Sequence, residues 1–558
     1  MIKKYKLSIL IPARSEEWLA RTVQDILEHK NEETEIIVGL DGQWADPGIE
    51  DHDDVTLVYY PESIGQRQIT NQLCKLSNAK YIVKTDAHTA FDQDFDRKMF
   101  EAFKETGDNV VMVPIMRNLH VFDLVCEDGH RRYQSPNGPC KECEKETKKE
   151  VMWIPKKSPQ SKSYSFDAEP HFQYFADWCK REPFKKDLEK NGLTETMSLQ
   201  GSFFMMTREK YYELEIDNEE WGSWGSQGLQ VAISSWLSGG RVIVNHKTWY
   251  AHCFRTQGGD FGFPYPQSGK QVSHAKRYAR KTFFENRWPK AIRPLSWLVE
   301  KFWPVTYWKD EELVKLKEKE KESWPSKGII YFTDNQLQLS IAHRVQNQIL
   351  KISKEKDIDL VSVSLKPIPK MGKNIHLPLK RGVLTMFKQI LTALEASTAD
   401  IIYFCEHDVL YPKDHFDFCP TEKDIFYYNL NVIKVNTETG NTLKVDVCKQ
   451  VSGICVYRET AIKHYRERVK YVELNGYNRN MGYEPGSHGR VKWNYKCSSN
   501  EWQSETPILD IRHSNNLTRN RWKQEQFRNK SNCKGWKEGN INDIDGWDIN
   551  ELSDIIKE

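Results

Sequence analysis

The sequence predicts an α/β protein made of two doubly wound, mostly parallel sheets in tandem. Three observations predict it. Residues 6–92 alternate apolar strand-like runs with runs of helical period, in the order β-α-β-β-α-β. A parallel sheet with crossover helices reads that way. A second series of the same kind begins at Lys327. Two strand-like runs, residues 81–84 and 401–404, each stop at a cluster of carboxylates and imidazole. In open α/β sheets ligands gather outside the carboxyl ends of the strands. A chain of 558 residues is also too long for one core and fits two or three domains.

Residues 6–12 (KLSILIP) read as the first strand. Residues 15–29 place Trp18, Leu19, Val23, Ile26 and Leu27 at helical spacing behind Ser15 as N-cap. Residues 34–40 make the second strand, which ends at Asp41-Gly42, and residues 55–60 the third. A helix over 65–76 carries Arg67 and leads into the strand 81–84, which stops at Asp86-Ala87-His88. Asp41 has two readings: an acceptor for a nucleobase or ribose, or the closing residue of a turn. Arg67 is either a fork for a diphosphate or a solvated helix residue. Their placement in series with Asp86 and His88 favours the ligand readings.

These residues carry a resemblance. Residues 8–92 resemble the nucleotide-binding half of a GT-A glycosyltransferase of the family 2 type. Residues 221–255 are similar to a block of the polypeptide N-acetylgalactosaminyltransferases, with Trp224, Gly225, Trp236, Gly239, Gly240, His252, Phe254 and Arg255 at matching positions. Those enzymes also write their metal motif as Asp-x-His. The resemblance implies that His252 joins Asp86 and His88 as third ligand of a divalent ion. It also implies that Trp224 and Gln227 face the donor sugar, and that Arg255 belongs to the donor-binding set. The family has Glu-Asn where this chain has Gln227-Gly228, which leaves the donor sugar and the stereochemistry open. Residues 199–214 resemble the strand and helix beneath the sugar. The implied donor is a UDP-sugar. Mixed carboxylate and imidazole ligands suit Mn2+ more than Mg2+, and such an ion bridges a diphosphate and neutralises a leaving group.

Between the two halves lies an insertion, residues 119–166. Cys126, His130, Cys140 and Cys143 are spaced C-x3-H-x9-C-x2-C within it, among polar, turn-rich residues. A Cys3His set closes a tetrahedral Zn2+ site without an open position, so the expected role is structural. The other reading is three unrelated thiols in a loop. Arg131, Arg132, Lys141, Lys145, Lys148 and Lys149 either touch an anionic acceptor or form a solvated face. Residues 156–165 read as a loop. Asp167, Glu169 and His171 either position an acceptor hydroxyl or cap the helix-like stretch that follows. Residues 256–269, rich in glycine and aromatics, read as a lid over the donor or as an irregular loop.

Residues 1–295 are therefore expected to form one GT-A-like domain, with residues 296–326, a charged helical stretch, as linker. Residues 327–530 then form a second GT-A-like domain and 531–558 a tail. The second domain repeats the opening theme. The helix 384–396 leads into the strand 401–404 and then Glu406-His407-Asp408. A later strand ends at His513, so Glu406, Asp408 and His513 make a second candidate metal set, catalytic or inactive. Residues 519–537 interleave basic and aromatic residues, suiting phosphates and stacked bases or a plain surface helix.

Composition bounds the function. Net charge is +2, from 81 basic and 79 acidic residues, which argues against a nucleic-acid footprint over the whole protein. No apolar run approaches the roughly 20 residues of a membrane span, and no signal peptide is visible. The expectation is a cytoplasmic protein with reduced thiols. Its expected activity is metal-dependent transfer of a sugar from a nucleotide sugar to an acceptor hydroxyl on a glycan or glycoprotein. Two alternatives stay open: a transferase acting on hydroxymethylated pyrimidines in DNA, and a non-catalytic carbohydrate- or nucleic-acid-binding protein on a decayed transferase fold.

Overall fold

The computed structural model describes residues 5–254, 269–446, 448–487, 497–513, 516, 520–527, 530–548 and 552. The chain divides into two compact units, Met1–Glu322 and Ser323–Glu558.

The first unit opens with β1 (Leu7–Ala13), α1 (Leu19–His29), β2 (Thr34–Asp41), β3 (Val55–Tyr60), α2 (Gln66–Leu76), β4 (Tyr81–Thr85) and β5 (Thr89–Phe91). It continues with α3 (Phe95–Thr106), β6 (Val110–Cys126), β7 (Arg131–Tyr133), β8 (Thr147–Ser161), β9 (Tyr164–Phe166), β10 (Phe172–Tyr174), α4 (Glu182–Asn191) and β11 (Leu193–Glu195). It ends with β12 (Phe203–Thr207), α5 (Arg208–Glu213), α6 (Gln227–Leu237), β13 (Arg241–His252), α7 (Gly269–Ala279), α8 (Leu295–Lys301) and α9 (Asp310–Ser323). The main sheet runs β3-β2-β1-β4-β12-β6-β13-β11. β1 pairs in parallel with β2 on one side and β4 on the other. All seven residues of β1 are buried, as a central strand covered on both faces requires. The chain winds away from β1 in both directions, which makes the β1/β4 boundary the switch point of the sheet.

The second unit holds β14 (Lys327–Thr333), α10 (Leu339–Lys356), β15 (Asp359–Ser364), β16 (Lys373–His376), α11 (Val383–Ala396), β17 (Ile401–Glu406) and β18 (Val409–Leu410). Then come β19 (Ile425–Asn429), β20 (Val432–Asn436), β21 (Asn441–Lys444), β22 (Ile454–Tyr457), α12 (Arg458–Asn475), β23 (Ser498–Trp502), β24 (Ile508–Arg512) and β25 (Lys537–Asn540). Its larger sheet runs β16-β15-β14-β17-β22-β19-β23. Strand for strand this repeats β3-β2-β1-β4-β12-β6-β13 in order and in direction. Three parallel pairings come first, then two antiparallel, then one parallel. In the first unit β13 bends at a register shift between Asn245 and Trp249 and stays one strand. In the second unit the same course is split, and β24 joins a separate sheet, β18-β24-β20-β21-β25.

Several local expectations are corrected. Residues 156–161 belong to β8, because their backbone pairs with β6 rather than looping. The helix-like stretch after His171 is the strand β10 followed by a single 3-10 turn. Residues 296–322 are not a linker but part of the first unit. Leu298, Val299 and Phe302 are fully buried there, and the Trp308 indole N–H donates to the Phe166 carbonyl at 2.7 Å. The tail is not separate either, since β25 pairs with β21 inside the second unit. The expected lid falls almost wholly on residues 256–268, which lie outside the described residues. No helix among the described residues is long and apolar enough to cross a membrane.

Candidate functional site

Asp86 follows the last residue of β4, beside the switch point. Its backbone N–H donates to the Ser202 carbonyl at 3.1 Å, which fixes the chain as it leaves the strand. His88 stands two residues on, just before β5. β5 pairs with the end of β13, setting His252 opposite Thr89. Two strand ends thus bring three side chains together. His252 Nε2 lies 3.2 Å from Asp86 Oδ2, and the two imidazole centroids are 4.8 Å apart. One ligand atom from each of Asp86, His88 and His252 falls within 4.8 Å of the others, within reach of a single divalent ion.

The electrostatics suit a cation. Burial works against the Asp86 carboxylate, but Lys84, His252 and His88 outweigh it and hold the carboxyl well below its ordinary range. Burial pushes His252 down to about 4, with His88 adding to it against the pull of Asp86. A neutral imidazole is the form that ligates. His252 Nδ1 is buried with no hydrogen-bond partner among the described residues.

Two residues of this site escaped the sequence reading. Lys84 is 1% exposed, ion-paired to Asp86 Oδ1 and donating to the Gly201 carbonyl at 2.8 Å. A lysine inside an apolar strand was its signal. Glu16 Oε2 lies 3.3 Å from His88 Nδ1 and orients the ring. Nothing in the sequence spacing marked it.

Gln227 is the first residue of α6 and is 7% exposed. Neither its Oε1 nor its Nε2 has a partner among the described residues. Buried amides are normally satisfied by a hydrogen bond. Gly228 explains how α6 comes so close: a Cβ there would sit 2.4 Å from the Leu199 carbonyl oxygen and 2.7 Å from Gly201 N. The start of α6 therefore rests on the segment that Lys84 also grips. Trp224 is half-buried in the loop before α6. Arg255 lies outside the described residues.

The two expected nucleotide contacts are both engaged within the protein. Asp41 is fully buried, and its carboxylate accepts from Ser63 Oγ at 2.9 Å, Ile64 N at 2.7 Å and Gly65 N at 3.0 Å. It closes the turn into α2. Arg67 is 1% exposed. It donates to the Gly222 carbonyl at 3.1 Å, the Gly225 carbonyl at 2.6 Å and Gln230 Oε1, under the Trp221 ring. Two of these bonds pin the loop 222–225 and the third holds α6.

Cys126, His130, Cys140 and Cys143 do come together, each offering a ligand atom within 4.8 Å of the others. Of the acceptor candidates, Asp167 binds its own loop through the Glu169 and His171 amides, and Glu169 pairs with Arg280. These bonds fold the loop that leads into β10.

The second metal set is corrected. Among the described residues, Glu406, Asp408 and His513 do not assemble as a three-ligand cluster. Asp408 Oδ2 lies 3.5 Å from His513 Nε2 and accepts from Asn516 at 2.7 Å. The strand register also gives a different equivalent of His252. The Cys253 amide donates to the His88 carbonyl, and the Ile511 amide donates to the Asp408 carbonyl. Thr89 faces His252 as Val409 faces Asp510. Asp510, not His513, therefore occupies the third place, and it is ion-paired with Arg512. Burial raises the Glu406 carboxyl well above its ordinary range, with Asp408, Glu484 and Asp510 adding to it.

Residues 8–139 match the family described as glycosyl transferase family 2. The resemblance to that family therefore holds over this part of the first unit. A putative polypeptide N-acetylgalactosaminyltransferase 13 of Drosophila melanogaster is 30% identical over 135 residues, 24% of this chain and 22% of the relative. A crystal structure of GalNAc-T7 with UDP, GalNAc and Mn2+ is 14% identical, with a TM-score of 0.36, over 57% of this chain and 55% of that one. The chain thus spans well under two thirds of the length of either protein.

Proposed function

We propose that the first unit is the donor site of a metal-dependent glycosyltransferase that uses a nucleotide sugar, UDP-linked in the simplest case. The observation that carries this is the meeting of Asp86, His88 and His252 at the switch point of a sheet whose residues 8–139 match family 2 glycosyltransferases. Those three side chains would hold the ion, Mn2+ before Mg2+. When bound, the ion supplies charge neutralisation for the leaving diphosphate.

The chain's own residues do the rest. Glu16 orients His88, and Lys84 keeps Asp86 ionised and aimed. Gln227 offers an unspent amide to the donor sugar from the positive end of α6. In place of the Glu that the resemblance implies, a neutral amide hydrogen-bonds sugar hydroxyls without adding charge. Arg67 and Asp41 shape the loops on either side. The second unit, with Arg512 beside Asp510, would position a glycan or glycoprotein acceptor rather than hold a second ion. Zn2+ on Cys126, His130, Cys140 and Cys143 is part of the same proposal.

The test is release of UDP from a panel of UDP-sugars in the presence of Mn2+. Acceptors in the panel include a glycoprotein and DNA bearing hydroxymethylated pyrimidines. Wild-type protein is expected to release UDP with at least one donor, and Asp86→Ala to lose at least a hundredfold, on the order of a lost metal ligand. An Asp86→Ala rate equal to wild type contradicts the donor site. Glycosylated DNA as the sole product would replace the acceptor named here.

A further inference from the structure

The cysteine cluster lies at the tip of a ribbon, away from the donor site, and nothing in the proposed chemistry uses it. Its geometry is nevertheless specific. His130 Nδ1 lies 3.5 Å from Cys126 Sγ and 3.6 Å from Cys140 Sγ, and Cys143 Sγ lies 3.6 Å from Cys126 Sγ. Ligands placed tetrahedrally at Zn–S and Zn–N bond lengths stand roughly 3.5–3.8 Å apart. The Glu142 amide also donates to Cys140 Sγ at 3.5 Å.

The four ligands come from three pieces of chain. Cys126 is the last residue of β6 and pairs with Thr147 at the start of β8. His130 precedes β7, which pairs back onto β6. One ion there would clip together β6, β7 and the start of β8.

Farther along, this ribbon packs against the segments that carry the donor-site ligands. Phe122 and Trp153 share an apolar cluster with Trp18, Ala90, Ala251 and Cys253. Trp18 stacks on Phe122 at 6.0 Å and meets Trp153 at 6.2 Å. The Trp153 indole N–H donates to Asp25 Oδ2 at 2.8 Å, and Asp25 Oδ1 accepts from the Phe91 amide of β5 at 2.7 Å. Lys149 Nζ meets both oxygens of Glu17 at 2.9 Å. The neighbouring Glu16 is the carboxylate on His88. Three consecutive residues thus divide the work: Glu16 orients a ligand while Glu17 and Trp18 are held by the ribbon.

We propose that the zinc-closed ribbon is a remote positioning device for the donor-site metal ligands, acting through Trp153–Asp25–Phe91 and through Lys149–Glu17 beside Glu16–His88. This rests on the Cys3His cluster being a Zn2+ site. No residue of the ribbon is catalytic in this account. It holds the segment 86–91 and Glu16 where an ion needs them.

The experiment uses the full chain and three measurements: zinc content, amide hydrogen exchange over residues 86–91, and Mn2+ affinity by titration. Wild-type protein is expected to carry one zinc. Cys140→Ser is expected to lose it, to exchange faster over 86–91, and to bind Mn2+ roughly tenfold more weakly. Cys140→His, which supplies an imidazole nitrogen in place of the sulfur, is expected to restore all three. Trp153→Phe keeps zinc and the ring but loses the bond to Asp25, and the Phe91 amide is expected to exchange roughly fivefold faster. That second variant decides the matter if Cys140→Ser does not fold. Wild-type protein without zinc overturns the Zn2+ site itself. Zinc loss with unchanged exchange over 86–91, or an unchanged Phe91 amide in Trp153→Phe, overturns the positioning role. Normal exchange coupling without any Mn2+ binding would leave the ribbon's role standing and contradict the donor site.

Discussion

His252 Nε2 lies 3.2 Å from Asp86 Oδ2, although 166 positions separate the two residues. The contact exists because β5 turns back onto the end of β13 and delivers His252 to the carboxyl end of β4. Either residue alone is a polar group at a strand end. Together with His88 they bring three ligand atoms within reach of one divalent ion.

Gln227 is expected to trade stability for function. Its amide is buried with no partner among the described residues, and such a group costs about 1–3 kcal/mol. Gln227→Leu, of similar volume, is predicted to raise the melting temperature while lowering kcat/KM at least tenfold. Gln227→Glu is predicted to shift donor preference. Thermal unfolding with steady-state kinetics on several donors checks both.

Arg67→Met is predicted to destabilise the first unit by about 3 kcal/mol, because it strands the acceptors at Gly222, Gly225 and Gln230 inside the protein. The loop carrying Trp224 should loosen, and KM for the donor should rise more than kcat falls. A mutant with wild-type stability and only a weaker diphosphate affinity would return Arg67 to the role of a ligand contact.

Glu320 gives a pH signature. Burial pushes its carboxyl up to about 7, against the amide and hydroxyl of Ser296 and the Leu295 amide, which lower it. The Ser296 amide donates to it at 3.0 Å. A carboxyl raised in the folded state binds its proton more tightly there than when unfolded. Its contribution is therefore complete below about pH 4.5 and is lost as pH rises through about 7. Glu320→Gln should match wild type at pH 4 and exceed it by about 3 kcal/mol at pH 8. Denaturant unfolding at the two pH values reads this directly.

The second unit is expected to take no Mn2+ of its own. Arg512 already balances Asp510, the residue in the place of His252. Asp408→Ala should leave Mn2+ stoichiometry unchanged, and Arg512→Met should open an acidic site that acquires weak divalent binding. Mn2+ that stays bound to Asp86→Ala protein and is lost when Asp408→Ala is added would contradict this.

Much of the fold was legible in the sequence because it is written in short-range pattern. The apolar runs of β1, β2 and β4 and the repeat from Lys327 onward read correctly as two α/β sheets. Asp86, His88 and the cysteine cluster were legible as spacings. Buried partners were not. Whether Arg67 meets a ligand or three carbonyls depends on where the loop 222–225 lies, some 155 positions away. Asp41 was read as a possible turn closer, and only the closeness of Ser63, Ile64 and Gly65 decides for that reading. His513 was misread as the echo of His252 because both follow a strand, whereas hydrogen-bond register selects Asp510. Residues 156–161 hid as a loop because Lys, Ser and Pro on an exposed strand read like one.

The most direct measurement is a Mn2+ titration of the wild-type protein and of Asp86→Asn, with and without UDP, followed by electron paramagnetic resonance. One bound Mn2+ per chain, tightened by UDP and weakened at least a hundredfold in Asp86→Asn, is the predicted result. Mn2+ binding that is absent from the wild type, or that survives unchanged in Asp86→Asn, would contradict it.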